Sequence, residues 1–300
     1  MLNDKHFGDD MPILVDLNQV QISNLMIQLA MNNGAGVVEE SMVRHMVLNS
    51  LRGYRKKFGE KFGELVICCD DRHYWRKQMF PYYKASRKKS REDSAIDWNS
   101  VFDILNKIRE ELREYMPYKV IQVEHAEADD IIGSVCNKYG TYLNTFDAIQ
   151  ILVLSGDKDF IQLQHYANVS QYAPVQKKML TIDNPERFLR EHIMLGDSSD
   201  GIPNFLSDDD TFTTSKRQRP VSRVKLASWV TQKPEEFCNE EMLRNYKRNE
   251  LLINLEKIPE EIQDKCCEQF STVIAAPRSG ILNYFVQSRL TTLTENIGDF

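Results

Sequence analysis

Four short apolar runs along the chain each lead directly into acidic residues. In the stretch 151–160, ILVLSGDKDF, the aliphatic residues stop at Asp157 and Asp159. Four or five aliphatic residues bounded by Ser-Gly are too few for a helix and are typical of a central parallel strand that is covered on both faces. The same plan recurs at 13–16 (ILVD), at 65–70 (LVICCD), and at 120–123, which is followed by Glu127, Asp129 and Asp130.

Between these runs, apolar residues spaced three or four apart predict helices. The predicted helices are 22–31, 42–58 with Ser41 as N-cap and Gly59 at its end, 97–116 stopped by Pro117, and 127–139 followed by Gly140. A weaker strand is predicted at 169–172. Because strands and helices alternate, the fold class is predicted to be α/β, with a mostly parallel central sheet flanked by helices.

Beyond a turn at 183–185 the pattern becomes helical. This turn divides the chain into a predicted α/β domain, 1–184, and a smaller all-helical C-terminal domain, 185–300. Helices are predicted at 188–195, 224–230, 234–255, 259–270 and 281–293. Between them, 207–222 (SDDDTFTTSKRQRPVS) is polar and aperiodic, which predicts a loop and allows disorder in the absence of a partner.

The composition excludes several classes of protein. With 42% hydrophobic and 27% charged residues the chain is typical of soluble globular proteins, and no apolar run approaches the roughly 20 residues of a membrane span. The first residues, MLNDKHFGDDMP, lack the basic and apolar segments of a signal peptide, so a cytoplasmic protein is expected. The six cysteines form no C-x-x-C pair, which argues against structural zinc and a disulfide framework and favours ordinary packing roles.

One segment is strongly basic although the whole chain carries a net charge of −6. Residues 72–91 contain no acid, and aromatic residues are interleaved with the cations. Cations neutralise phosphates and aromatic faces stack on unpaired bases, so this composition favours single-stranded nucleic acid. Two other interpretations stay open: a basic run is commonly a solvated face, and Tyr74, Trp75 and Phe80 are as compatible with a core as with a stacking platform.

If the strands are parallel, their acids converge on one edge of the sheet. Such carboxylates repel by several kcal/mol when they lie a few ångströms apart, so some must bind protons or share cations. An all-oxygen ligand set without Cys or His favours Mg²⁺, Mn²⁺ or Ca²⁺, and two such ions can promote an in-line phosphoryl displacement. The predicted metal ligands are Asp16, Asp70, Glu127, Asp129, Asp130, Asp157 and Asp159, joined from the second domain by Asp197 and Asp200.

Each acidic motif also has a simpler interpretation. An Asp-x-Asp sequence after a strand is about as often a turn or a helix cap as a metal site. Asp71 and the run 208–210 are assigned to that simpler class. The repetition of acids at four strand ends is what favours a metal site.

The motifs together resemble the structure-specific 5′ nucleases, the family of flap endonucleases and of the 5′ nuclease domains of bacterial DNA polymerases, and within it the ribonucleases H of T-even bacteriophages. The resemblance covers nearly the whole chain and is carried by ILVDL, VRHMVLNS, YWRKQMFPYYK, EADD, SGDKDF, GDSSDGIP and NYFVQSRLTTLTENIGDF. It implies a PIN-like nuclease fold. It further implies a Mg²⁺-dependent 5′ to 3′ exonuclease and flap endonuclease that removes RNA primers during lagging-strand replication.

The resemblance also implies roles for particular residues. Two Mg²⁺ ions, for which Mn²⁺ can substitute, are expected at the acids given above, and Asp130 is expected to take part in catalysis. Within an arch-like segment, 72–96, Lys84 and Arg87 resemble bases that steer phosphates, Arg76 a further phosphate contact and Tyr83 a stacking residue. The expected nucleic-acid contacts of the arch are Arg72, Arg76, Lys77, Tyr83, Lys84, Arg87, Lys88 and Lys89.

The chain departs from the family after GDSSDGIP, where relatives have a glycine-rich helix-hairpin-helix that grips the duplex. Here NFLSDDDTFTTSKRQRPVSR follows, and Lys216, Arg217, Arg219 and Arg223 are the expected substitutes. The implied substrates are forked, flap and nicked DNA and RNA·DNA hybrids. A monomer is expected, with a single-strand-binding protein and a sliding clamp as candidate partners that contact the first dozen residues or the C-terminal helices.

Two other functions fit parts of the pattern. A catalytically silent binder of forked DNA would retain the acids as a structural cation site, and would show Mg²⁺-dependent stability without product. A small-molecule phosphohydrolase of α/β type would use the aspartates but leaves the basic aromatic segment unexplained. Steep salt dependence of DNA binding would separate a nucleic-acid enzyme from the latter.

Overall fold

The computed structural model describes residues 12–31, 37–143, 148–214 and 216–300. Within them lies a six-stranded sheet in the order β3-β2-β1-β4-β5-β6, parallel except for the antiparallel edge strand β6. The strands are β1 (Ile13–Asp16), β2 (Leu65–Cys69), β3 (Lys119–Gln122), β4 (Ile151–Leu154), β5 (Val169–Ala173) and β6 (Lys178–Leu180). The predicted α/β class and mostly parallel sheet are confirmed.

The central strands are apolar throughout because both faces of the sheet are covered. In β1, Ile13 and Val15 point into one hydrophobic core and Leu14 into the other, and all three are fully buried. Neighbouring strands alternate in the same way. This burial on two sides is why the sequence shows continuous aliphatic runs instead of an apolar-polar alternation.

Thirteen α-helices are present in the described part of the chain: α1 (Leu17–Met31), α2 (Glu40–Phe62), α3 (Trp75–Met79), α4 (Ala85–Glu92), α5 (Trp98–Tyr115), α6 (Ala128–Tyr139), α7 (Pro185–Leu195), α8 (Arg223–Trp229), α9 (Pro234–Phe237), α10 (Glu240–Ile253), α11 (Glu260–Thr272), α12 (Ile281–Gln287) and α13 (Thr291–Thr294). Helices α1, α2 and α5 cover one face of the sheet together with α12 and α13. Helices α6 and α11 cover the other. None of the described helices is long and apolar enough to span a membrane.

Three predicted helix starts or ends in the first half of the chain need correction. Helix α1 begins at Leu17 and not at residue 22, because the Asp16 carboxylate accepts a hydrogen bond from the Gln19 amide (3.0 Å) and caps the helix immediately after the strand. Ser41 is not an N-cap, since α2 begins at Glu40. Gly59 does not end α2; the helix continues to Phe62 and stops at Gly63, whose φ of 76° favours glycine.

Two long predicted helices of the second half are interrupted. The predicted 234–255 helix is α9 followed by α10, because the Asn239 side chain accepts from the Met242 amide (2.9 Å) and starts a new helix. The predicted 281–293 helix is α12 followed by α13, separated at Arg289, whose φ is 55°. The stretch 158–165 after β4 is a 3₁₀ helix. The boundary between domains at residue 184 stays a prediction.

A third hydrophobic core joins the basic segment to the C-terminal helices. Phe80 and Tyr83 of that segment pack with Phe205 and with residues of α7 and α10. Trp75 lies in the core beneath α6 and is 5% exposed. Trp75 and Phe80 are therefore core residues, which settles the alternative for these two, and Tyr74 packs partly buried against the third core.

The loop 207–222 is folded in its described residues. The Lys216 ammonium lies 3.1 Å from both the Asp208 and the Asp210 carboxylate, and the Arg219 amide donates to the Ser207 hydroxyl (2.9 Å). These contacts explain how a polar, aperiodic stretch keeps a defined path. The acids of 208–210 serve as ion-pair partners of nearby bases, in line with the simpler interpretation given to them.

Candidate active site

The predicted acids of the first domain gather at the carboxyl edge of the sheet. Asp16 is the last residue of β1 and Asp70 follows β2 directly. Glu127 is the N-cap of α6, and Asp129 and Asp130 occupy its first turn. Asp157 caps the 3₁₀ helix that follows β4 and leads to Asp159. Because β1 lies between β2 and β4, these segments meet where ligands bind in open parallel sheets.

Asp16 lies at the centre of this edge and is 7% exposed. Its two carboxylate oxygens accept from the Gln19 amide and from the Ser155 hydroxyl, each at 3.0 Å. Burial, together with the negative charges of Asp70 and Asp157, outweighs these hydrogen bonds and raises the pKa of Asp16 to about 6.

Three further acids show the same effect. Burial raises the pKa of Asp70 above its ordinary value, even though Lys84 partly offsets it. Burial and the charges of Asp157 and of neighbouring acids hold the pKa of Asp129 and of Asp159 well above the usual range. Five acids at this edge form no ion pair with a Lys or Arg in the described chain. We call them the unpaired acids: Asp16, Asp70, Asp129, Asp157 and Asp159.

A second group of acids at the same edge is already neutralised. Arg76 lies 3.0 Å from Glu127 and 2.8 Å from Asp130, and all three side chains are almost fully buried. The Lys84 ammonium donates to the other Glu127 oxygen at 2.5 Å. Burial alone would raise the pKa of Glu127, but the charges of Lys84 and Arg76 lower it.

Asp200 extends this paired group to the second half of the chain. Its carboxylate lies 2.5 Å from Arg87 and 3.6 Å from Lys84, and the Tyr83 hydroxyl lies 2.9 Å from Asp200 and 3.0 Å from Glu127. We call this set the arch-base pairs: Glu127, Asp130 and Asp200 with Arg76, Lys84 and Arg87. It fastens the start of the arch-like segment to the first turn of α6.

The GDSSDGIP loop reaches the site because two glycines allow a tight turn. Gly196 and Gly201 have φ of 68° and 73°. A Cβ on Gly201 would lie 2.9 Å from the Tyr82 carbonyl oxygen, and one on Gly196 would lie 2.4 Å from the Ile202 carbonyl oxygen. The Lys84 amide donates to the Asp200 carbonyl at 2.7 Å, so the loop and the arch-like segment pack backbone to backbone.

A buried histidine that the sequence did not predict joins the acids at this loop. His192, near the end of α7, is 6% exposed, and its ring nitrogens lie 3.5 Å from Asp159 and 3.4 Å from Asp197. Lys158 lies 3.1 Å from Asp197. Burial would raise the pKa of Asp197, but His192, Ser199 and Lys158 hold it well below the usual range. The sequence signal was the position of His192 five residues before Asp197, on the apolar side of a predicted helix.

The arch-like segment is partly helical, and its predicted nucleic-acid contacts divide by exposure. Arg72, Lys77 and Lys88 are exposed, and the Arg87 side chain is 47% exposed. Lys84 is mostly buried at the entrance to the acids, with a side-chain exposure of 12%. The side chain of Lys89 lies outside the described residues.

Two predicted contacts of the arch-like segment face inward, contrary to expectation. Arg76 and Tyr83 are each 2% exposed. Both are engaged by buried carboxylates, so in this structure Arg76 is not placed to meet a phosphate and Tyr83 is not placed to stack on a base. Burial of an unpaired Glu127 and Asp130 would be costly, which is the physical reason that Arg76 faces them.

The predicted duplex contacts in the second half lie on the protein surface. Lys216, Arg217, Arg219 and Arg223 are all exposed. Lys216 and Arg219 are engaged with acids of the same loop, Arg219 at 3.8 Å from Asp208. Arg217 and Arg223 have no ion pair within the described part of the chain. The first eleven residues, the proposed partner contacts, lie outside the described residues.

The unpaired acids fit divalent cations. They supply oxygen ligands only, which hard cations such as Mg²⁺ prefer. One Asp159 oxygen is buried without a hydrogen-bond partner in the described chain, and such an orphaned atom is costly unless something binds it. One ligand atom each from Asp159, His192 and Asp197 lies within 4.8 Å of the others, a spacing at which they can bind one ion.

Comparison with known proteins identifies the family. Residues 21–192 match the family model described as 5′-3′ exonuclease, N-terminal resolvase-like domain, and residues 184–300 match the model described as T4 RNase H, C terminal. The chain is 31% identical to the ribonuclease H of Enterobacteria phage T4 over 298 residues, covering 96% of this chain and 95% of that protein. It is also 30% identical over 146 residues to the flap endonuclease Xni of Shewanella sp. (strain MR-4), covering 46% of this chain and 50% of that protein.

Solved structures share the fold. A phage T5 D15 protein co-crystallized with metal ions gives a TM-score of 0.59 at 13% identity, over 87% of this chain and 98% of that one. The T5 5′-exonuclease with bound zinc gives 0.58 at 13% identity, over 88% and 99%. Taken with the two family models and the full-length similarity to the phage T4 enzyme, these findings show that the chain belongs to the 5′-3′ exonuclease and flap endonuclease family of nucleases, in the branch with a T4 ribonuclease H C-terminal domain.

Proposed function

We propose that this protein is a Mg²⁺-dependent 5′ to 3′ exonuclease and 5′ flap endonuclease that hydrolyses phosphodiesters of DNA and RNA·DNA duplexes and removes RNA primers during replication. The observation that carries the proposal is the meeting of the unpaired acids with the cationic base of the arch-like segment. Asp129 and Lys84 are close enough that the lysine charge acts on the carboxylate. The basic side chains would bind an anionic strand next to the divalent ions that the acids would hold.

The residues would hold two ions. Asp16, Asp70, Asp129 and Asp157 would bind one ion, and Asp159, Asp197 and Asp200 the other, with Glu127 and Asp130 supporting the first. When bound, such ions supply charge stabilisation and lower the pKa of water. The solved T5 structures contain divalent metal ions, including zinc, which supports the assignment of cations to this fold.

Lys84 and Arg87 would position the scissile phosphate. Both lie at the entrance. Lys84 is engaged by Glu127 and Asp200, and Arg87 pairs with Asp200. A phosphate entering between them would replace Asp200 as the partner of Arg87, whose side chain is 47% exposed. Asp130 contributes indirectly, since its carboxylate accepts from the Glu127 amide (2.8 Å) and the Trp75 indole (3.2 Å) and so fixes the first turn of α6.

The substrate assignment follows relatives whose names give flap endonuclease and ribonuclease H activities, and a phage T5 flap endonuclease solved in complex with DNA and metal ions. Forked, flap and nicked DNA and RNA·DNA hybrids are the proposed substrates. The protein is proposed to act as a monomer in the cytoplasm, with a single-strand-binding protein and a sliding clamp as partners. The exposed bases of 216–223 are proposed to contact the duplex.

The test uses 5′-labelled flap, nicked and RNA·DNA substrates with Mg²⁺ or with chelator. We expect short labelled products only with Mg²⁺, and we expect Asp157→Asn to lower the cleavage rate by at least about a hundredfold while flap binding is retained. The matched control is Asp103→Asn, because Asp103 is an exposed acid of α5 outside the site. Metal-independent cleavage, or an Asp157→Asn variant as active as Asp103→Asn, would overturn the proposal.

A further inference from the structure

The outer part of the site contains a nitrogen ligand where the acid pattern predicts oxygen ligands only. His192 projects from α7 between two carboxylates that come from different parts of the chain, Asp159 after β4 and Asp197 in the GDSSDGIP loop. Its imidazole is 94% buried, since only 6% is exposed. Neither ring nitrogen has a well-formed hydrogen bond within the described chain.

A buried, unpartnered imidazole needs an explanation. A polar group that is buried without a partner destabilises the folded state, and α7 also packs against an apolar core in which an apolar side chain would be the ordinary choice. The orphaned Asp159 oxygen faces the same space, 3.5 Å from the ring. A ring nitrogen and a carboxylate oxygen that face the same space without a hydrogen bond can both bind one cation.

We propose that His192 is a direct ligand of the outer cation, together with Asp159 and Asp197, and that this nitrogen ligand makes the outer position prefer Mn²⁺ over Mg²⁺. One ligand atom from each of the three residues lies within 4.8 Å of the others. That spacing leaves room for one ion among the three atoms. The inference rests on the proposed function only in placing a cation beside Asp159 and Asp197.

The identity of the ligand atoms determines the preference for Mn²⁺ over Mg²⁺. Mg²⁺ prefers oxygen ligands and keeps its waters, whereas imidazole suits the later transition metals and is tolerated by Mn²⁺. The ring lies between the two other ligands, since one nitrogen faces Asp159 at 3.5 Å and the other faces Asp197 at 3.4 Å.

Lys158 lies beside this position. Its ammonium lies 3.1 Å from the Asp197 oxygen that also faces His192, and its side chain is 49% exposed. Because about half of the Lys158 side chain is exposed, its ammonium can turn into solvent when a divalent cation binds Asp197.

The test is pulsed electron paramagnetic resonance of Mn²⁺ bound to the full chain, a readout that requires no nucleic acid and no cleavage. We expect nitrogen couplings of a bound imidazole in the unmodified protein and in His165→Gln, and their loss in His192→Gln. His165 is the control because it is a half-buried histidine whose ring does not face these acids. Mn²⁺ affinity should fall about tenfold or more in His192→Gln, and Mg²⁺ affinity by less than about threefold.

A second measurement protects the test against a variant that does not fold. Labelling the histidines of the unmodified chain with ¹⁵N should change the coupling pattern from that of ¹⁴N to that of ¹⁵N. Absence of nitrogen coupling in the unmodified chain, or its persistence in folded His192→Gln, overturns the inference. Cleavage with Mg²⁺ but no nitrogen coupling would support the proposed function and contradict the histidine ligand. Nitrogen coupling without cleavage by any ion would support the histidine ligand and contradict the proposed function.

Discussion

Asp16 of the unpaired acids and Glu127 of the arch-base pairs lie at the same sheet edge and are both buried, yet their pKa values shift in opposite directions. Asp16 is 7% exposed and its pKa is raised to about 6, whereas Glu127 is 1% exposed and its pKa is lowered. The difference is the distance to a protein cation, since Glu127 has Arg76 at 3.0 Å and Lys84 at 2.5 Å. Glu127 therefore has its counter-charges within the protein, whereas Asp16 and the other unpaired acids have no Lys or Arg partner in the described chain.

We therefore expect the two groups to have different roles. The arch-base pairs fix where the arch-like segment begins, because Arg76 also donates to the Leu252 carbonyl (2.9 Å) and ties α3 to the end of α10. The unpaired acids repel one another when ionised, and at neutral pH bound cations relieve this repulsion. Substitutions should therefore affect stability in the first group and cation-dependent behaviour in the second.

The largest expected effect on stability comes from Arg76→Ala. Removing the guanidinium leaves Asp130 buried without a cation and Glu127 with Lys84 alone. Breaking a buried pair in this way costs about 3 to 5 kcal/mol. Urea unfolding with chelator present measures the loss. The control is Arg113→Ala, since the Arg113–Glu110 pair has side-chain exposures of 39% and 52% and should contribute about 1 kcal/mol or less. Equal losses in the two variants would show that the arch-base pairs are not structural.

The next effect has the opposite sign. Asp16→Asn should stabilise the cation-free protein at pH 7 by up to about 3 kcal/mol, because the pKa of Asp16 rises from 3.8 unfolded to about 6 folded, and each unit corresponds to about 1.4 kcal/mol. Well below pH 3.8 Asp16 is protonated in both states, and its charge contributes no repulsion. As pH rises towards 6 the unfolded chain loses its proton first, so the stability of the unmodified protein falls.

The measurement is the difference in unfolding free energy between Asp16→Asn and the unmodified chain from pH 4 to 7, with chelator and with saturating Mg²⁺. The difference should grow with pH in chelator and shrink or reverse with Mg²⁺, which satisfies the carboxylates in the unmodified chain only. Asp103→Asn should show no such trend. A difference that is independent of both pH and Mg²⁺ would mean that Asp16 is not part of a cation site.

The unpaired acids could be predicted from the sequence for a physical reason, whereas the pairing partners within the arch-base pairs could not. A buried parallel strand must be apolar, so its acidic end is conspicuous, and parallel strands bring such ends together. The inward direction of Arg76 and Tyr83 depends on packing against Glu127 and Asp200, which are 51 and 117 residues away from them, respectively. No local pattern indicates whether a base in a basic run faces solvent or a distant carboxylate.

The fold shows the same division between local and distant signals. The ends of α5 and α6 were predicted because Asp97, Pro117 and Gly140 act locally. The start of α1 was missed because the cap is Asp16, which was assigned to chemistry and not also to capping. His192 was missed because a single histidine on an apolar helix face is ordinarily a core residue, and only the three-dimensional arrangement brings it to Asp159 and Asp197.

The smallest expected effect tests whether the arch-base pairs open for substrate. Arg87 is bound to Asp200 at 2.5 Å but is the most exposed of the three arch-base cations, with a side-chain exposure of 47%. If Arg87 exchanges Asp200 for one phosphate, Arg87→Ala should lower flap affinity a few-fold. It should also reduce the slope of log affinity against log salt concentration by about 0.7 to 0.9, the contribution of one released counterion.

Lys107→Ala is the matched control, because Lys107 pairs with Glu40 (2.6 Å) on the other side of the sheet and should leave the slope unchanged. A slope unaffected by Arg87→Ala would mean that this arginine stays with Asp200 when the strand binds, and that the outermost arch-base pair is structural like the Arg76 pair.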